Sequence, residues 1–217
     1  MRKLFINILF MALIVASFVE AGNKLFWDFE ETEIGKAPDG WKVEATNPMG
    51  NPAAWEVVWE FNKGKKTKAI GITKTNDNSG EMFNICWTDS VRFKDGRIEV
   101  SFKAVRGIED QGGGPMWRVK DKDNYYIARV NPLENNFRVY YVKNGARKTL
   151  DSARADIPSN QWHTIKIVHK GDHIEGYLNG RKYLDCKDST FQEVGGVGLW
   201  TKADAATYFD DLEVEKY

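Results

Sequence analysis

Arg118, Arg129 and Asn131 lie in neighbouring runs that also hold Tyr125, and a later run contributes Trp200 and Lys202. Guanidinium and amide groups present donors at fixed angles, and an indole offers an apolar platform for the C–H face of a sugar. Lysine and arginine beside them favour an acidic or oxidised sugar. Alternation along a strand places Met116 and Arg118 on one face and Trp117 and Val119 on the other. By the same rule Tyr125, Ile127, Arg129 and Asn131 share a face, as do Trp200 and Lys202. Arg118, Tyr125, Arg129, Asn131, Trp200 and Lys202 thus form a candidate ligand-binding set on one concave sheet. The competing reading pairs Arg118 and Arg129 with Glu134, Asp121 or Asp123 across strands and leaves Trp200 in the core.

Other constellations point to less chemistry. A retaining glucanase needs two carboxylates on one face about 5–5.5 Å apart, supplied by an E-x-D-x-(x)-E run on one strand; the chain has no such run. Glu213 and Glu215 alternate correctly but read as the wet face of an edge strand. Tyr141-Val142-Lys143-Asn144-Gly145 shares the Y-x-K-x-G spacing of alginate lyases, yet an Asn-Gly hairpin accounts for the same residues. His163 and His169 are six apart on one expected strand, roughly 20 Å at ~3.3 Å per residue, too far to share one zinc ion. His169 and His173 flank a turn without a clear third ligand. For calcium the set is better: Asp28 and Glu30 on one face of the first strand and Asp210, beside Asp211, on the last. Paired terminal strands would gather these hard oxygen ligands around a structural calcium ion; solvated acidic residues on edge strands are the other reading. The Gly112-Gly113-Gly114 run opens no strand-to-helix unit, so it is a flexible or closely packed turn rather than a phosphate loop.

Short alternating segments must position these groups. Residues 97–104, 164–168 and 212–214 read as strands with one buried and one wet face. Asn144-Gly145 and Asn179-Gly180 mark hairpins, because Asn-Gly tolerates the positive φ of a type I′ turn. Lys170-Gly171-Asp172 marks another turn. Many short strands without intervening helices indicate a sandwich or jelly roll. Loop-like stretches at residues 46–53, 62–68 and 75–80 lack the length of interdomain linkers, so a single domain is expected.

Met1-Arg2-Lys3 is followed by an apolar run from Leu4 to Val19, with Val19-Glu20-Ala21 supplying small residues at a cleavage site. This is the layout of a secretory signal peptide over residues 1–21, too short for a spanning helix, and it implies export to the periplasm or beyond. The domain then occupies residues 22–217, long enough to bury a core unaided. Removing Arg2, Lys3 and Glu20 moves the formal charge from 0 to −1. A near-neutral, interspersed charge offers no general attraction for nucleic acid or acidic membrane. Cys86 and Cys186 make no disulfide framework and read as two small buried residues.

Trp162-His163 leading a strand, followed by Tyr177-Leu178-Asn179-Gly180, resembles the laminin G and pentraxin signature. Residues 110–118, 123–136 and 195–204, with Tyr208-Phe209-Asp210-Asp211-Leu212, resemble a group of secreted bacterial concanavalin A-like (lectin/glucanase) proteins related to the 3-keto-disaccharide hydrolase-like domains. The likeness covers nearly the whole mature chain. It implies an all-β, two-sheet antiparallel jelly-roll sandwich, and speaks less to activity, because one fold hosts many functions. The primary expectation is an exported module that binds an oligosaccharide or polysaccharide without turning it over. A glycosidase-like hydrolase of an oxidised (3-keto) or acidic sugar is the alternative the resemblance implies. There Arg129 and Lys202 would stabilise oxyanion charge, and His163 or Glu134 would be first candidates for general acid/base. A laminin G-like adhesion domain, with the same aromatics as an interface core, is the third.

Overall fold

The computed structural model describes residues 23–75 and 80–217. The expected signal segment, residues 1–21, lies outside the described residues. Among them there is no helix, and fifteen strands run in chain order. The first five are β1 (Lys24–Trp27), β2 (Lys42–Thr46), β3 (Ala54–Asn62), β4 (Lys65–Lys74) and β5 (Phe83–Phe93). The next five are β6 (Gly96–Arg106), β7 (Gly113–Asp121), β8 (Asn124–Asn131), β9 (Asn136–Lys143) and β10 (Ala146–Arg154). The last are β11 (His163–Lys170), β12 (His173–Leu178), β13 (Arg181–Lys187), β14 (Gly195–Lys202) and β15 (Ala206–Lys216).

They form two antiparallel sheets, as the alternation predicts. The first runs β13-β12-β11-β6-β15-β4-β3 with β1 beside β15, so the first and last strands do pair. The second runs β10-β9-β8-β7-β14-β5-β2. Between the sheets lies the main core, where Trp117, Tyr126, Val130, Phe137 and Leu199 meet Phe102, Ile165, Phe209 and Val214. Asn144 and Gly145 (φ 51° and 77°) make the β9–β10 hairpin, and Asn179 and Gly180 (φ 50° and 80°) the β12–β13 hairpin, as Asn-Gly requires.

The second sheet has an apolar cluster on its other face too. Phe83, Ile85, Trp87, Met116, Val119, Tyr125, Ile127, Tyr140, Val142 and Trp200 are all buried there. They escape water because the sheet curls until the chain just past β2 reaches the β9–β10 turn. Asn47, just past β2, donates its Nδ2 to the carbonyl of Gly145 at 2.9 Å, at the start of β10. A Cβ on Gly145 would stand 2.4 Å from Asn47 Oδ1, so this glycine serves both the turn and the edge-to-edge approach. Gly114 faces Trp200, and a Cβ there would come within 2.0 Å of the Ala128 carbonyl. The glycine run is thus a closely packed strand entry. Cys86 is buried, Cys186 is half-buried, and both are free thiols.

Alternation fails at two places that matter. In β7 the register shifts between Trp117 and Asp121, and Arg118 adopts φ 46°. This bulge turns Arg118 away from the face shared by Met116 and Arg129. Gly195 accommodates it, since a Cβ there would lie 2.3 Å from the Arg118 carbonyl carbon. At the N-terminus, β1 ends at Trp27, and the chain turns at Phe29 (φ 59°). Asp28 and Glu30 therefore follow the strand rather than sharing a face of it.

Candidate functional site

On the curled face of the second sheet, polar groups of β8, β9, β10 and β14 gather at one place, its mouth. Arg129 on β8 stands at the centre of the mouth, 1% exposed. Its Nη1 donates to Asp110 Oδ2 at 2.7 Å, and its Nη2 to Glu134 Oε2 at 2.7 Å and Asn136 Oδ1 at 3.1 Å. Asn131 Nδ2 donates to the other Asp110 oxygen at 3.0 Å, while its Oδ1 accepts from the Glu134 amide at 3.1 Å. Arg138 on β9 reaches Glu134 Oε2 at 3.3 Å. The loop that carries Asp110 is pinned from the β14–β15 turn, where Asp204 accepts from the amides of Ile108, Glu109 and Asp110.

Burial pushes the Asp110 carboxyl up, opposed chiefly by Arg129 and then Lys202. For Arg129, burial works against the charge, but Asp110, Tyr140 and Glu134 outweigh it and hold the pKa above its ordinary value. Burial also pushes Glu134 up; the Asn136 hydrogen bond and the Arg129 charge outweigh it and keep the carboxyl below its usual range. A general acid needs the opposite shift, so Glu134 is suited to accepting hydrogen bonds rather than to donating a proton.

Beside this network Arg147, on β10, lies over three rings, with its Cζ 4.7 Å from the Tyr140 centroid, 5.1 Å from Phe83 and 5.8 Å from Trp200. Three buried polar atoms here have no partner: Arg129 Nε, Tyr140 Oη and Arg147 Nη1. Native proteins satisfy nearly all buried polar atoms, and three of the exceptions among the described residues gather at this place.

The structure brings Arg129, Asn131 and Lys202 of the expected set together at this mouth. Tyr125 and Trp200 share the face but sit deeper, wholly buried. Trp200 Nε1 donates to Tyr125 Oη at 3.2 Å, and Thr46 Oγ1 stands 2.8 Å from the same oxygen. They floor the site; the indole offers no open platform. Arg118 is elsewhere, for the bulge sends its guanidinium to the carbonyls of Lys94, Phe191 and Gly171. His163, on β11 of the first sheet, bonds Pro158 and Asn179 and does not reach the mouth. The predicted pairing of Arg129 with Glu134 is present. Asp110, Tyr140, Arg147 and Glu81 were missed; alternation along β9 and β10 is the signal that could have found Tyr140 and Arg147. A separate cleft of about 700 Å³ opens beside Lys42, Glu44, Trp87 and Lys120. Its charges are largely paired locally, Lys42 with Asp89 and Lys122 with Asp123, and it has none of the orphaned atoms.

The expected calcium ligands converge in part. Thr67 Oγ1 lies 2.8 Å from Glu30 Oε1 and 3.3 Å from Asp210 Oδ2, and Asn62 Nδ2 donates to the same Asp210 oxygen at 3.3 Å. Asp28 instead accepts from the Glu30 amide. Asp210 is pushed up to about 6, first by burial and then by the Asp211 charge. Asn62 Oδ1 is buried without a partner. Glu30 Oε1 accepts from the Lys68 amide as well, at 2.8 Å, so both carboxylates already have hydrogen-bond donors.

A family model described as a 3-keto-alpha-glucoside-1,2-lyase-like domain matches residues 25–215. The chain belongs to this family. Among curated proteins, this lyase-like domain is 27% identical over 183 residues to the levanase of Bacillus subtilis (strain 168). The match takes in 80% of this chain but 24% of the levanase, so the chain spans about a quarter of that relative's length. Among solved structures, the carbohydrate-binding module CBM66 from Bacillus subtilis superposes with a TM-score of 0.60 at 23% identity, over 81% of this chain and 96% of the module. The Bacillus licheniformis β-glucanase gives a TM-score of 0.60 at 13% identity, over 91% of this chain and all of the other. These likenesses are of fold, and that fold is the concanavalin A-like sandwich.

Proposed function

We propose that this chain is an exported carbohydrate-binding domain whose glycan sits at the polar mouth of the second sheet, against Arg129, Asn131, Arg147 and Lys202. The observation that carries the reading is a pair of partly accessible cations, Arg147 and Lys202, which lie beside the buried Arg129–Asp110 pair and hydrogen-bond no carboxylate of their own. Sugar hydroxyls both donate and accept, so they suit the accessible edges of Arg147 and Lys202. Similarity to a carbohydrate-binding module and to part of a levanase supports a saccharide partner. The family's lyase-like description favours a second reading, turnover of an oxidised sugar at the same place. In it Glu134, held below its ordinary pKa, would serve as a base rather than as an acid.

Saturation-transfer NMR of residues 22–217 with neutral, uronic and 3-keto oligosaccharides, followed for a day, tests both. Transfer with unchanged sugar spectra supports binding; new product resonances replace it with turnover; silence across the panel removes both.

The Glu30–Asp210–Asn62 cluster holds a structural calcium ion in this reading. Calcium then raises Tm by about 3 °C at pH 7.5 and by less at pH 5, where Asp210 keeps its proton. An equal shift at both pH values, or one that survives Asp210→Asn, would place the ion elsewhere.

A further inference from the structure

We infer that the mouth of the second sheet selects a carboxylate-bearing sugar over its neutral counterpart, with Arg147 and Lys202 as the pair that receives the carboxylate. This rests on the reading of that mouth as a glycan site and adds the ligand's chemical class.

The argument starts from how the charges are matched. Arg129 is closed by Asp110 and Glu134 at 2.7 Å each, and Arg138 shares Glu134. Arg147 and Lys202 have no such partner. The carboxylate nearest them is Glu81, and a single oxygen of it, Oε1, lies 3.8 Å from both Arg147 Nη2 and Lys202 Nζ. That distance is beyond a hydrogen bond, which for N–H···O ends near 3.2 Å. The Glu81 side chain is 61% exposed, against 15% for each cation. Two largely desolvated cations therefore face one solvated carboxylate that bonds neither.

The cations are placed rather than mobile. Arg147 is fixed over Phe83, Tyr140 and Trp200, and its Nη1 is an orphaned donor. Tyr140 Oη, on the ring beneath the guanidinium, is orphaned as well. A guanidinium bonds a carboxylate through two parallel N–H donors, and a neighbouring ammonium adds a point charge to the same oxygens. A sugar carboxylate entering here gains close contacts to both cations, where Glu81 has only a distant one. A neutral sugar leaves the two charges as they are. Glu81 competes weakly for the same place.

Calorimetry on the full mature domain decides it, using uronic trisaccharides (galacturonate, mannuronate, guluronate, glucuronate) each against its methyl ester. The ester keeps the hydroxyls and removes the charge. One acid should bind about tenfold or more tighter than its ester. Lys202→Gln and Arg147→Gln should each bring that ratio close to one, and Glu81→Gln should raise affinity for the acid several-fold. Near-UV circular dichroism checks folding; if Arg147→Gln disturbs it, the Lys202 position and the exposed Glu81 position carry the test. Binding of neutral sugars or esters with no acid preferred would overturn the selection and leave the glycan site standing. An acid preference untouched by Lys202→Gln and Arg147→Gln would overturn the assignment of the pair. No binding of any sugar would end both.

Discussion

Arg118 and Arg129 are both arginines of the second sheet and both essentially unexposed, yet they are satisfied in opposite ways. Arg118 donates to three backbone carbonyls, those of Lys94, Phe191 and Gly171, and reaches Asp95 at 3.3 Å. Burial lowers its pKa, because mostly neutral acceptors compensate a desolvated charge only in part. Arg129 meets side-chain carboxylates, its pKa lies above the ordinary value, and its Nε has no partner. Carbonyls built into the fold cannot rearrange around a ligand, so Arg118 ties loops together. Carboxylates on side chains can rearrange where backbone carbonyls cannot, which is why Arg129 stands at the centre of the proposed site. Burial of a charge therefore does not mark function; the kind of partner does.

The comparison breaks most visibly at Arg118. Arg118→Met should cost about 5 kcal/mol, since three carbonyls lose their donor in one step. A urea midpoint close to that of the wild type would mean the carbonyls are not held by the guanidinium. Next comes Arg129→Gln, expected to cost about 3–5 kcal/mol by leaving Asp110 unpaired and to abolish glycan binding. Adding Asp110→Asn should restore part of that stability but none of the binding, a split that a purely structural pair would not produce. Chemical denaturation and calorimetry on the three variants measure it.

The smallest effect lies beside Arg118. His169 accepts from Trp117 Nε1 at 2.9 Å and is held at a pKa of about 3, by burial first and the Arg118 charge second. It is neutral in the folded chain while the unfolded chain takes up a proton near pH 6.5. Its contribution is thus present above pH 6.5 and is lost progressively as pH falls toward about 3. His169→Gln keeps an acceptor for Trp117 and should cost about 1 kcal/mol at pH 7. Its deficit should vanish on acidification, and a deficit constant from pH 7 to 4 would contradict the assignment.

Much of the fold was legible because strands and Asn-Gly turns are local. Residues 97–104 and 164–168 lie within β6 and β11, and both hairpins turn where the dipeptide stands. The candidate site was legible only in part. Arg129, Asn131 and Lys202 followed from period-two alternation along unbroken stretches. Arg118 did not, because a bulge shifts the register by one and sends a side chain to the other face.

By itself the sequence determined an all-β sandwich of antiparallel strands and put Arg129 and Asn131 on one face of a single strand and Lys202 on a face of another, since alternation and turn chemistry act over a few residues. Only the tertiary structure decided that the second sheet curls until Asn47 meets Gly145, burying Trp200 and Tyr125 as a floor and gathering Asp110, Arg147 and Glu81 at the mouth. Those contacts join residues tens of positions apart, and their geometry follows from sheet curvature, which no local pattern records.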